Sequence, residues 1–156
     1  MINDKMNFEP SAAKTQVGTV LLEILADVYN TMYFSQTAHW NVTGENFPQY
    51  HTLFDDSYKL CNNALDDIAE LARACSGINT PHTLNGLLRL TNDVEGVDSS
   101  NPIQVIKHLE ACHNSIQSMW EQLSNNCNGM VDVTDFAGSM FRMYSQMAWK
   151  LRSISQ

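Results

Sequence analysis

His51-Thr52-Leu53-Phe54-Asp55-Asp56-Ser57-Tyr58-Lys59-Leu60-Cys61-Asn62-Asn63-Ala64-Leu65-Asp66-Asp67-Ile68-Ala69-Glu70 has the periodicity of one long amphipathic helix. Leu53, Phe54, Leu60, Cys61, Ala64, Leu65 and Ile68 recur at helical spacing between polar residues. Near its ends lie two pairs spaced i, i+4, His51/Asp55 and Asp66/Glu70. Side chains at that spacing share a face and can grip one ion together. The rise from His51 to Asp66 is about 22 Å at about 1.5 Å per residue, so no single ion touches both pairs within one chain. Around the axis, Asp55 and Asp66 differ by only about 20°. A second copy packed antiparallel across a two-fold axis therefore brings each His/Asp pair to the other copy's Asp/Glu pair, and two mixed sites form per dimer.

The rest of the chain supplies further helices. The first runs from about Ser11 to His39, with Val17, Val20, Leu21, Ile24, Leu25 and Val28 at helical spacing. Asn41-Val42-Thr43-Gly44-Glu45-Asn46 is a polar break with a turn-forming glycine. The second helix starts near Pro48 and ends at Ser76-Gly77 by C-capping. Residues 78–100 form a long connection in which Thr83 to Leu90 suggests one short helix, a length that suits a crossover. Asn101-Pro102 opens a third helix reaching about Asn125, and the loop to Gly129 precedes a last helix from about Asp132 through Phe136, Met140, Met143, Tyr144, Met147 and Leu151. No convincing β-type alternation occurs. The expected fold is an all-α four-helix bundle over residues 11–156, preceded by an N-terminal tail, residues 1–10.

Composition narrows the function. The 156 residues are 44% hydrophobic, and the mean hydropathy of −0.26 fits a globular chain. Apolar runs fall far short of a membrane span, and the N-terminus lacks the basic and apolar regions of a secretory signal, so a cytoplasmic location is expected. Only nine Lys and Arg stand against seventeen Asp and Glu, for a net charge of −8. That balance disfavours phosphate binding and favours cation traffic, although many acidic proteins owe their charge to solubility alone. Cys61, Cys75, Cys112 and Cys127 form no CxxC motif, and reduced thiols are the cytosolic rule. The two-fold axis falls near residues 60 and 61 and would bring Cys61 close to its own copy.

A lone histidine is more often structural than a ligand. Here His39, at the end of the first helix, joins His51, Asp55, Asp66 and Glu70 in one donor set. Mixed imidazole and carboxylate donors suit iron, manganese or zinc, and the lack of a thiolate in register disfavours a structural zinc site. The competing reading of Asp66, Asp67 and Glu70 is a solvated acidic face, with Arg73 as their nearest intrahelical cation. Intrasubunit di-metal bundles use two Glu-x-x-His motifs, whereas this chain has one, Glu110-Ala111-Cys112-His113. Glu110 and His113 are therefore read as surface or interhelical polar residues. Asp132 and Asp135 fit a helix start, with Asp132 as N-cap, and equally an acidic ring at a three-fold pore.

The block His39-Trp40-Asn41-Val42-x-Gly44-x-Asn46-Phe47-x-x-x-His51-x-x-Phe54-Asp55, followed by Asp66-x-Ile68-Ala69-Glu70, closely resembles the Dps miniferritins of the ferritin-like superfamily. Pro81-x-Thr83-Leu84, Asp132-x-x-Asp135 and Trp149-x-Leu151-Arg152 extend the resemblance over nearly the whole chain after about residue 12. The resemblance implies a ferritin-like four-helix bundle with a short extra helix in the long connection, assembled as a hollow dodecameric cage. It implies ferroxidase centres at two-fold interfaces, with His39, His51 and Asp55 from one subunit and Asp66 and Glu70 from its neighbour. Such centres oxidise Fe(II) to Fe(III), preferably with hydrogen peroxide rather than oxygen, and the cage stores ferric mineral as protection against oxidative stress; zinc and manganese accept the same donors. Trp40 resembles the family tryptophan that donates electrons to strong oxidants, and simple packing is its alternative role. Many Dps proteins also bind DNA through a lysine-rich tail, but residues 1–14 here carry only Lys5 and Lys14, balanced by Asp4 and Glu9. Two rival functions follow: a DNA-binding, nucleoid-protecting protein and a catalytically silent helical shell.

Overall fold

A computed structural model describes residues 11–91, 97–98, 100–127 and 129–156. Among these, five helices form: α1 (Ala12–Asn41), α2 (Phe47–Ser76), α3 (Leu84–Leu88), α4 (Pro102–Asn126) and α5 (Val131–Ser155). The expected tail, residues 1–10, lies outside the described residues. α1 packs most extensively on α2 and α4 on α5, while α1 against α4 joins the two pairs and α3 lies in the crossover against α1. This is the all-α four-helix bundle with a short extra helix.

Local chemistry sets the helix ends. The Ser11 hydroxyl accepts from Lys14 N at 3.4 Å, and Asn101 Oδ1 accepts from the backbone of Ile103 and Gln104 at 3.1 and 3.3 Å, ahead of Pro102. α2 stops where Gly77 takes φ 73°, a left-handed conformation that favours glycine. α5 departs from expectation. It begins at Val131 rather than Asp132, because Met130 O accepts from both the backbone N and the hydroxyl of Thr134 at 2.9 Å. Met130 is thus the cap residue, and Asp132 sits in the first turn, where its charge still suits the helix dipole.

Cys61 is the buried, reduced thiol that its place in a helix leads one to expect, rather than a residue at the surface of the two-fold. It is fully buried and receives the Tyr144 hydroxyl at 3.9 Å from Sγ, and burial pushes its thiol pKa up to about 12. Position along the axis placed it near the two-fold, but it points about 120° away from Asp55 and into its own bundle. A bridge to a second copy is unavailable to it, and all four cysteines are buried thiols outside any disulfide.

Two apolar clusters fill the bundle. The larger surrounds Leu21, Ile24, Ile68, Ile116 and Trp120; the smaller surrounds Phe54, Ile106, Leu109 and Leu151 beneath the α1–α2 turn. Between them lies a buried polar layer of Ser35, Ser57 and His113. Ser35 donates to Thr31 O at 2.8 Å, so Ser57 donates to Ser35 (2.8 Å) and His113 Nε2 donates to Ser57 (2.7 Å). His113 Nδ1 is left without a partner, and burial pushes the ring's pKa down to about 3. The single Glu-x-x-His motif is interhelical, as expected: Glu110 accepts from Arg152 at 2.8 Å on the surface, and His113 is interior.

His113 makes stability pH-dependent. Between the unfolded pKa of about 6.5 and the folded value of about 3, the unfolded chain takes up a proton that the folded chain refuses. The contribution is complete above the unfolded value and is lost as pH falls, by about 1.4 kcal/mol per unit. Denaturant unfolding of His113→Gln and the wild type across pH 5 to 7 is expected to show this slope as the difference between them; parallel curves would remove His113 from the effect.

Candidate metal centre

α1 and α2 run antiparallel and are joined by residues 42–46, with Gly44 at φ 105°. So short a connection sets the last turn of α1 against the second turn of α2. His39 and His51 consequently stack, with ring centroids 3.7 Å apart and planes 23° from parallel. Each ring also binds the other residue's backbone: His39 Nδ1 donates to His51 O at 2.9 Å, and His51 Nδ1 donates to His39 O at 3.0 Å. A carbonyl only accepts, so each Nδ1 carries the hydrogen, and in the neutral ring the Nε2 lone pair is the one left free. This arrangement orients imidazoles as metal ligands are usually oriented, through a hydrogen bond on the other nitrogen.

Phe47, one turn before His51, stacks on it at 4.7 Å and braces the pair. Asp55 is one turn beyond and half-buried, and its Oδ2 accepts from Lys59 Nζ at 2.5 Å. The Lys59 ammonium, and to a smaller extent the positive charge His39 and His51 carry when protonated, holds the Asp55 carboxyl below the usual carboxylate range against the opposing effect of burial. Asp55 in turn raises the Lys59 pKa. His39, His51 and Asp55 are thus brought into one neighbourhood.

Asp66 and Glu70 stand elsewhere on α2, exposed. Arg73, expected as their nearest cation, instead donates to Gly77 O and to Asn79 Oδ1, the latter at 3.0 Å, where it satisfies carbonyls at the helix end. Among the described residues, no three or more His, Cys, Asp or Glu side chains of one chain are grouped to hold a metal. Trp40 is 62% exposed beside His39, and Phe47 is 41% exposed, which gives the imidazole pair an apolar rim. Asp132 and Asp135 are exposed and share an open groove of about 540 Å³ with Asp67, Glu70 and Phe136. Three residues of this neighbourhood escaped the sequence reading as site members. Phe47 and Lys59 carried the same i, i+4 signal as the ligand pairs, whereas Asp67 had no signal beyond its charge.

This helical bundle, with imidazole and carboxylate donors on its surface, has the architecture of the ferritin class. The chain belongs to the ferritin-like family, matching its domain over residues 19–156, and its likeness within that family is to Dps proteins. The DNA protection during starvation protein of Agrobacterium fabrum is 29% identical over 132 residues, covering 83% of this chain and 75% of that protein. Antigen TpF1 of Treponema pallidum superposes with a TM-score of 0.87 at 18% identity, over 96% of this chain and 97% of the other. The Dps protein of Vibrio cholerae, described as a ferritin-like diiron-carboxylate protein, superposes with a TM-score of 0.85 at 17% identity, over 92% and 91% of the two chains.

The reciprocal backbone bonds make a spectroscopic prediction. Solid-state NMR of protein labelled with 15N-histidine, at a pH where the rings are neutral, is expected to show His39 and His51 as Nδ1–H tautomers. A dominant Nε2–H form at either residue would contradict the geometry.

Proposed function

We propose that this protein is a cytoplasmic miniferritin that oxidises Fe(II), chiefly with hydrogen peroxide, and stores the ferric product inside a dodecameric cage. Two copies meet with their α2 helices antiparallel, and iron binds between them as substrate. His39 Nε2, His51 Nε2 and the Asp55 carboxylate come from one copy, and Asp66 and Glu70 from the other. The observation that carries this reading is the reciprocal imidazole pair, whose Nδ1 atoms are both taken by backbone carbonyls, with Asp55 one turn of α2 beyond His51. The exposed Trp40 and Phe47 supply apolar surface that a second copy would cover.

The chemistry follows from the donors. Hard carboxylate oxygens bind Fe(III) better than Fe(II), which favours loss of an electron. Hydrogen peroxide takes two electrons and two protons to become two waters, so two Fe(II) oxidised together reduce it without releasing a hydroxyl radical. Dioxygen is the slower oxidant. Trp40, next to His39, supplies an electron to any strong oxidant that escapes this pairing. Asp132 and Asp135 form an acidic ring at a three-fold pore, and their shared groove with Asp67 and Glu70 continues the negative path inward. Zinc and manganese compete for the same donors. With only Lys5 and Lys14 in residues 1–14, balanced by Asp4 and Glu9, no lysine cluster supports DNA as a partner at physiological salt.

Anaerobic mixing of Fe(II) and peroxide with wild-type protein is expected to account for both electrons of each peroxide as ferric iron that elutes with the cage. Asp66→Ala combined with Glu70→Ala should slow the reaction at least about tenfold while assembly persists. An unchanged rate removes these residues from the role. A wild-type cage that accumulates no iron leaves the silent shell, and a gel shift at physiological salt would restore the DNA-binding function.

A further inference from the structure

Asp55 is the carboxylate of the imidazole half-site, and it already holds a cation: Lys59 Nζ lies 2.5 Å from its Oδ2. The Lys59 side chain is 63% exposed, and its flexible stem ends in a hydrated point charge. A second carboxylate is within its reach. Asp56, at i−3 from Lys59 where Asp55 is at i−4, also acts electrostatically on the Lys59 ammonium. Asp56 Oδ2 in turn lies 3.6 Å from Lys150 Nζ of α5. Lys59, Asp56 and Lys150 line one open groove of about 270 Å³ between α2 and α5, roomy enough for the ammonium to swing. Charges therefore alternate across the surface in the order Asp55, Lys59, Asp56, Lys150.

We propose that Lys59 is a displaceable resident cation of the metal centre, seated on Asp55 until a divalent ion arrives and then transferred to Asp56. This rests on the metal reading above and deepens it. Seated on Asp55, Lys59 offsets the repulsion that a second copy's Asp66 and Glu70 would otherwise meet there. A divalent ion must displace it, so Lys59 weakens first-metal binding and Asp56 limits the penalty by receiving the ammonium. Lys59 is thus a positioning residue for charge and not a ligand.

The test is Co(II) titration of the full-length, metal-free protein at fixed pH, read by the visible absorption of coordinated cobalt, which needs no turnover. Lys59→Met is expected to tighten binding about fivefold, the size of one exposed ion pair, and Lys59→Arg to stay near wild type. Asp56→Asn should weaken binding about threefold in the wild-type background and leave it unchanged in the Lys59→Met background. An effect of Asp56→Asn that is equal in both backgrounds assigns Asp56 to Lys150 and overturns the transfer. Wild-type cobalt absorption that is lost in His51→Ala yet unmoved in Lys59→Met overturns the Lys59 proposal alone. No cobalt absorption in the wild type or in Lys59→Met overturns the metal reading and this inference with it.

Discussion

The exchange of hydrogen bonds between His39 and His51 is the constraint on which the site depends. Each imidazole is held by the other residue's carbonyl, so neither ring can turn without breaking a bond that also fixes the neighbouring helix. The exchange is possible only because α1 and α2 are antiparallel and closed by residues 42–46. It is supported from below by the cluster of Ala38, Val42, Leu53 and Phe54 with Ile106, Leu109 and Leu151. A rigid apolar floor and a short turn thereby fix two neutral nitrogen donors on a surface where side chains ordinarily wander. The loss of rotamer freedom is met during folding and not at the moment of ion binding.

The remaining donors obey a different logic. Asp66 and Glu70 are exposed carboxylates, and water solvates them at little cost while the chain is alone. Bringing them to Asp55 without a cation would place like charges together. In the proposed interface, positive charge from an ion or from a lysine offsets that repulsion, and apolar cover such as Trp40 and Phe47 adds to the contact. Charge and apolar surface together would make the proposed docking of two copies responsive to cations.

Much of this was legible in the sequence because it is local. Asn101-Pro102 and Ser76-Gly77 fix helix ends through backbone groups within a few residues, and α2's phase follows from its repeat alone. What was missed depends on direction or distance. Cys61 has the right height on α2 for a two-fold axis and the wrong azimuth, so it packs beneath Tyr144. The start of α5 is set by Thr134 reaching back to Met130, and an acidic cap reading of Asp132 cannot anticipate this. His113 meets Ser57 from 56 residues away, a distance at which no spacing rule speaks. The resemblance gave the candidate ligands and carried Phe47 only as a motif residue, while the stacking of Phe47 on His51 and the Lys59–Asp55 pair belong to side-chain packing that no motif describes.

The polar layer in the core fits the proposed placement of ion chemistry at the surface of this bundle. Buried carboxylates without their ion would have to take up protons or pair with one another, at a cost in stability. Ser35, Ser57 and His113 occupy that central layer with neutral groups whose donors are all used. The bundle thus keeps a polar seam between its two apolar clusters without requiring an ion. In the proposed assembly, folding is thereby separated from ion capture, and the carboxylates, left in water, are free to be completed by another copy of the same chain.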